Sequence, residues 1–193
     1  LGLENTKIKL DDKGFVIADN QQKTADPHIS AIGDVTGGAM LAHKASHEAK
    51  IAIEVLVGEI IGSNTPVMPA VVFTDPEIAW AGLTEIEAKA QNKIVSIAKF
   101  PWGASGRAQT LGRSEGLTKL IIDPESEKII GVGLTGSGAG ELIAEGVLAI
   151  ETGAKAKDLA SSVHPHPTLS ETLMEAAEVF YGTATHVYKR KRE

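Results

Sequence analysis

The chain has no cysteine. That excludes a disulfide framework, a cysteine-ligated metal or iron–sulfur cluster, and a thiol nucleophile of its own. It has no run of about eighteen apolar residues, the length a helix needs to cross a bilayer. A basic excess is also missing: 19 Lys and Arg stand against 25 Asp and Glu, a formal charge of -6. The positive field that draws a protein to nucleic acid is therefore absent. The one basic cluster, Lys189 to Arg192, reads as a solvated tail. What remains is ordinary for a folded protein, 42% hydrophobic and 23% charged. At 193 residues a core can be buried without disulfides or a structural metal, and no metal-ligating cluster is expected. The chain opens at Leu1 inside a charged stretch and reads as a piece of something longer.

Local patterns place the elements. Leu10 to Ile17 reads as a hairpin turning at Asp12, Lys13 and Gly14. His28 to Ile32 reads as a short apolar strand ended by Gly33-Asp34. From Leu41 to Val57, Ala45, Ala49, Ala52, Ile53 and Leu56 recur at helical spacing, with Gly58 as the stop. Gly62 to Pro66 is the candidate boundary, dividing the chain into 1–65 and 66–193. Beyond it, strands are expected at 70–73, 78–82, 94–100, 117–123 and 128–134. Helices are expected at 84–91, 139–151, 156–161 and 169–180. Thr84 and Glu87 have the spacing of a capping box. The pattern predicts an α+β fold, an antiparallel sheet flanked by helices.

Gly131-Val132-Gly133-Leu134-Thr135-Gly136 fits the dinucleotide fingerprint G-x-G-x-x-G, with Glu151 fifteen residues beyond it. Two features oppose that reading. The preceding strand is the second arm of a tight hairpin, whereas the fingerprint needs a parallel β-α-β unit. The stretch after the helix, Gly153 to Asp158, is polar and helix-like where a strand is required. The glycines are read as a strand-to-helix turn.

Three segments carry chemistry. In Thr24 to Asp34, Gly33 lets the backbone approach a ligand, and Asp34 projects a carboxylate suited to accept from sugar hydroxyls. In Met40-Leu41-Ala42-His43, a helix N-terminus offers unpaired N–H groups and partial positive charge. In His164-Pro165-His166-Pro167-Thr168-Leu169-Ser170-Glu171, an imidazole that titrates near neutrality stands five residues before a carboxylate. On the residues alone, plainer readings stay open. Asp34 can be a turn residue, His43 a surface histidine, and Glu171 the partner of Thr168 in a capping box.

Together, and in this order, the segments resemble the pyridine nucleotide-disulfide oxidoreductases. The last segment, with Phe100 to Ala108, is similar to the dihydrolipoamide dehydrogenase branch of that family. The likeness covers essentially the whole chain. It implies that residues 1–65 end an FAD- and NAD-binding region and that 66–193 form a dimerisation domain. It implies that Asp34 holds the ribityl chain of FAD and that Met40, Leu41, Ala42 and His43 contact the flavin ring. It implies that His166 carries protons for a substrate thiol while Glu171 orients it. Pro165 departs from the small residue common there and stiffens the approach to His166. The expected parent is a cytoplasmic bacterial homodimer that reoxidises dihydrolipoamide with NAD. Its partners would be the acyltransferase subunit and the 2-oxoacid dehydrogenase complex, with neither nucleic acid nor membrane involved. The 193-residue piece is expected to be inactive alone, because the cysteine pair must lie elsewhere. Other members of the family, glutathione or mercuric reductase, and a non-enzymatic dimerisation module are the alternatives.

Overall fold

The computed structural model describes residues 2–59 and 66–188. The chain divides into two compact units, Leu1–Thr65 and Pro66–Glu193. Residues 62–65 of the boundary signal and the basic run at 189–192 lie outside the described residues.

In the first unit, short polar turns carry most of the backbone pairing. The Asp11 carboxylate accepts from the Lys13 and Phe15 N–H groups, both at 2.9 Å, and closes the hairpin whose arms pair at Leu10 and Val16. The strand expected over 28–32 does not form. Thr24 and Asp26 draw that segment into a turn, with the Ile29 N–H on the Asp26 carbonyl, which leaves one isolated bridge between Lys23 and Ser30. Nor does a strand run into Asp34; Gly33–Thr36 is a turn of 3-10 helix. Helix α1, Ala42–Leu56, follows and stops at Gly58, whose φ of 84° suits a residue without a Cβ. Its apolar positions diverge. Ala52 is buried, while Ile53, Leu56 and Val57 are exposed.

The second unit is a five-stranded antiparallel sheet in the order β1-β2-β5-β4-β3. The strands are β1 Ala70–Val72, β2 Glu77–Gly82, β3 Ser96–Pro101, β4 Leu117–Ile122 and β5 Ile129–Gly136. Alternate residues line one buried face: Ala79 and Ala81, Ala98 and Phe100, Leu120, Val132 and Leu134. Helix α4, Ala139–Glu151, lies on β2 and β5, and α6, Glu171–Tyr181, lies on β3 and β4. Helix α5, Ala156–Ser161, packs on α6. A Cβ on Gly146 of α4 would stand 2.9 Å from Val132, so glycine there lets helix and sheet meet closely. The other face is apolar in part: Ile78, Trp80, Leu117 and Ile121 border an open hollow of about 280 Å³.

Two short helices complete the unit. In α2, Glu85–Ala90, the capping box forms: Thr84 Oγ1 accepts from the Glu87 N–H at 3.2 Å, and Glu87 Oε2 accepts from the Thr84 N–H at 2.8 Å. Helix α3, Gly106–Leu111, is capped by Ser105. No apolar periodicity announced α3. β5 is antiparallel to both neighbours, so the glycine run before α4 belongs to no parallel nucleotide-binding unit.

Between sheet and helices runs a chain of buried hydrogen bonds. Trp102 Nε1–H donates to Thr118 Oγ1 at 2.9 Å, Thr118 Oγ1–H to Thr172 Oγ1 at 2.8 Å, and Thr172 Oγ1–H to the Leu169 carbonyl at 2.7 Å. Trp102, Thr118 and Thr172 are fully buried. The indole fits because Gly116 and Gly136 flank it; a Cβ on Gly136 would lie 2.2 Å from the ring. Thr118→Val preserves shape but strands the indole N–H and leaves Thr172 with one partner fewer. We expect it to destabilise the protein by roughly 1–3 kcal/mol. Urea unfolding measures this; an unchanged midpoint would refute the account.

Candidate functional site

His166 stands at the tip of the loop that joins α5 to α6. Its Nδ1 lies 2.8 Å from Glu171 Oε1, the first residue of α6. A carboxylate only accepts, so Nδ1 carries a proton toward Glu171 and leaves Nε2 as the available acceptor in the neutral ring. The His166 side chain is 69% exposed, and that of Glu171 only 18%. Glu171 is thus a fixed base plate under a reachable ring. Its second oxygen, Oε2, accepts from the Thr168 N–H at 2.7 Å.

This is half of the capping box read from the sequence. The Thr168 hydroxyl donates to the Pro165 carbonyl at 2.7 Å instead of accepting from α6. The reason is geometric: the helix begins at Glu171 with Ser170 as its N-cap, so Thr168 stands outside its first turn. Glu171 is therefore shared between the loop backbone and the imidazole. Burial pushes its carboxyl up, but the Thr168 N–H and His166 outweigh it and hold the group below its ordinary value of 4.5.

A crevice of about 10 Å³ beside the pair is lined by Phe100, Ser105, Gly106, Thr172, Glu175 and His186. Glu175, one helical turn past Glu171, is buried and holds His186 by its ring Nδ1, with the His186 N–H 3.5 Å away. Gly106 opens α3 against the ring: a Cβ there would lie 3.8 Å from His166 Cε1. His164 takes a different place. Its side chain is 7% exposed, with Nδ1 donating to the Ser162 carbonyl at 2.9 Å and Nε2 2.8 Å from Glu145 Oε1.

The remaining sequence candidates lie in the first unit. Asp34 is exposed on its 3-10 turn, and the peptide before it is fixed from α1. Glu48 Oε2 accepts from the Gly33 N–H at 2.6 Å, while Lys44 Nζ donates to the Gly33 carbonyl at 3.1 Å. Lys44 and Glu48 pair with each other at 3.0 Å, both largely buried. Met40, Ala42 and His43 are exposed, and Leu41 is the helix N-cap with no side-chain cap bond. At the start of the helix the Ala45 N–H donates to the Leu41 carbonyl at 3.2 Å. An exposed carboxylate on a turn bonded from α1 fits a ligand with hydroxyls. FAD has them.

Sequence reasoning missed Lys44, Glu48, Thr172, Glu145, Glu175 and His186. The four-residue spacing of Lys44 and Glu48 was a usable signal for an ion pair. Nothing local marks Glu145, which meets a histidine nineteen residues later.

Residues 68–177 match the family described as pyridine nucleotide-disulphide oxidoreductase, dimerisation domain, and residues 1–49 match pyridine nucleotide-disulphide oxidoreductase. A dihydrolipoyl dehydrogenase of Buchnera aphidicola is 51% identical over 99% of the chain, and one of Bacillus subtilis 46% identical over 98%. The chain spans about 40% of the length of these relatives. Among solved structures, LpdA of Mycobacterium tuberculosis superposes with a TM-score of 0.87 at 28% identity, covering 93% of this chain and 39% of that one. The HOCl-induced flavoprotein disulfide reductase RclA of Escherichia coli gives 0.82 at 27% identity, covering 90% and 40%. With the antiparallel sheet, the helices over one face and the matched dimerisation domain, the chain belongs to the pyridine nucleotide-disulphide oxidoreductases.

Proposed function

We propose that the chain supplies the acid–base half of a dihydrolipoyl dehydrogenase, an FAD-dependent homodimer that oxidises dihydrolipoamide with NAD in a bacterial cytoplasm. The observation that carries this reading is the His166–Glu171 pair, an exposed ring tied at Nδ1 to a recessed carboxylate. The 46–51% identity to dihydrolipoyl dehydrogenases over nearly the whole chain supports the choice of substrate.

The overall reaction removes two electrons and two protons from the dithiol. NAD takes up a hydride and one proton is released. Bound FAD would supply the electron path between the two halves. The chain's own residues handle protons and position. His166 Nε2 takes the proton of a substrate thiol as its sulfur attacks a disulfide, and the thiolate released on the other side is stabilised by the resulting imidazolium. Glu171 keeps Nδ1–H turned away, which fixes the tautomer. Asp34 would accept from the ribityl hydroxyls of FAD, and the N–H groups of 42–44 would face its pyrimidine edge. The disulfide comes from another part of the parent, because this chain has no cysteine. His166 is assigned to the active site of the second subunit, so the complete centre needs two copies related by a two-fold axis. The dithiol would arrive on the acyltransferase of a 2-oxoacid dehydrogenase complex.

In the full-length protein, His166→Gln should slow dihydrolipoamide oxidation by roughly two to four orders of magnitude. Electron transfer from NADH to a dye should be largely spared. Equal loss of both activities would sink the assignment.

The 193-residue chain by itself should dimerise yet hold no flavin and show no turnover, since half the cofactor site and the disulfide are supplied elsewhere. Gel filtration with detection at flavin wavelengths tests this. Flavin absorbance that co-elutes with the chain contradicts it.

The Glu171 pair also has a pH signature. A carboxyl held below its ordinary value contributes stability above that value and loses it as pH falls through the lowered one. The Thr168 amide resonance, which reports its bond to Glu171, should therefore titrate with a midpoint below 4.5. A midpoint above 4.5 would contradict the balance of forces described for Glu171.

A further inference from the structure

We infer that Glu145 and His164 are positioning residues for His166, a clamp from the middle of α4 that sets where the imidazole tip stands. The inference rests on the proton-carrier reading of His166. Within one protomer the loop to be held has little packing of its own: of residues 161–167, all are exposed except His164. Val163, just before it, is 98% exposed and gives no anchorage by packing. On the far side, the loop is secured by Glu171 and the Thr168 hydroxyl. On the near side, Ser162 is tied to α5 through the Asp158 and Leu159 carbonyls. Between these two points His164 is the one residue that turns inward, and both of its ring nitrogens are engaged.

Both His164 contacts are to oxygen atoms, the Ser162 carbonyl at Nδ1 and the Glu145 carboxylate at Nε2. A hydrogen bond is directional, so bonds at both ring nitrogens fix the angle of the ring as well as its place. What makes it matter for His166 is the segment between. His164-Pro165-His166-Pro167 has two fixed φ angles, and each histidine, standing before a proline, is restricted in turn. A displacement at the His164 ring is therefore passed along the backbone to His166 instead of being absorbed. A small residue at 165 would transmit less.

The expectation is tested in two arms. In the 193-residue chain, Glu145→Ala should speed hydrogen exchange of the Thr168 amide by about tenfold or more, while the Leu120 and Val132 amides of the sheet hold their rates. Glu145→Gln, whose amide oxygen still accepts from Nε2–H, should restore slow exchange. An unchanged Thr168 rate in Glu145→Ala, or an equal rise in the sheet, overturns the proposal. In the full-length flavoenzyme, Glu145→Ala should lower kcat for dihydrolipoamide by roughly tenfold to a hundredfold, with KM within about twofold. In a His166→Gln background it should cost nothing further. A loss of equal size in that background assigns Glu145 a merely structural role and overturns the proposal. If His166→Gln alone has no effect, the proton-carrier reading has failed, and the exchange arm still judges the clamp.

Discussion

The hydrogen-bond chain from Trp102 through Thr118 and Thr172 to the Leu169 carbonyl decides how the last helix meets the sheet. Apolar packing is non-directional, and the small residues Ala176 and Ala177 of α6 would tolerate some sliding over Leu120 and Phe100. An indole N–H and two hydroxyls shut away from water do not tolerate it. Each must find a partner, and an unpaired one costs about as much as several well-packed methyl contacts. They are all satisfied only when the first turn of α6 stands opposite β4 in one rotation and one register. Glu171 precedes Thr172, so its position is fixed by the same requirement.

From that base, the candidate site is arranged as a recessed carboxylate carrying an exposed imidazole. The arrangement suits proton transfer because the carboxylate needs a constant geometry and the imidazole needs access. The first unit solves a similar problem with different parts. There Lys44 and Glu48, a largely buried pair, grip the N–H and carbonyl of Gly33 and leave Asp34 free to project from a rigid peptide. Glycine is required at 33 for two reasons: its φ is 74°, and a Cβ would press within 3.0 Å of Ala45. In both places a polar tip is made precise by groups that are themselves shielded from solvent.

Much of the second unit was legible before any coordinates. Helices α4 and α5 begin and end where their patterns do, and the strands of the sheet deviate by a residue or two, because alternation and turn residues are local signals. The failures share a cause. Residues 28–32 are apolar enough for a strand, yet the Asp26 turn takes up their backbone groups first. Helix α3 rests on the Ser105 cap and on Ala108 buried in the tertiary interior, neither of which leaves a periodic trace in six residues. Thr168 and Glu171 have box spacing, but the box needs the helix to start at Leu169, two residues before Glu171, where it begins.

The sequence by itself determined the fold class, the order of the second unit's strands and of its helices other than α3, and the two residues, His166 and Glu171, that meet at 2.8 Å. Their five-residue spacing and the two prolines are properties of contiguous chain, and contiguous chain is what a sequence displays. Tertiary structure alone decided which groups stand around that pair and its loop. Trp102, Thr118, Glu145, Glu175 and His186 come from five separate segments, and nothing in their neighbourhoods along the chain marks them. What gathers them is the closing of the core, where each buried donor and acceptor must be matched by whatever folding happens to bring within about 3 Å.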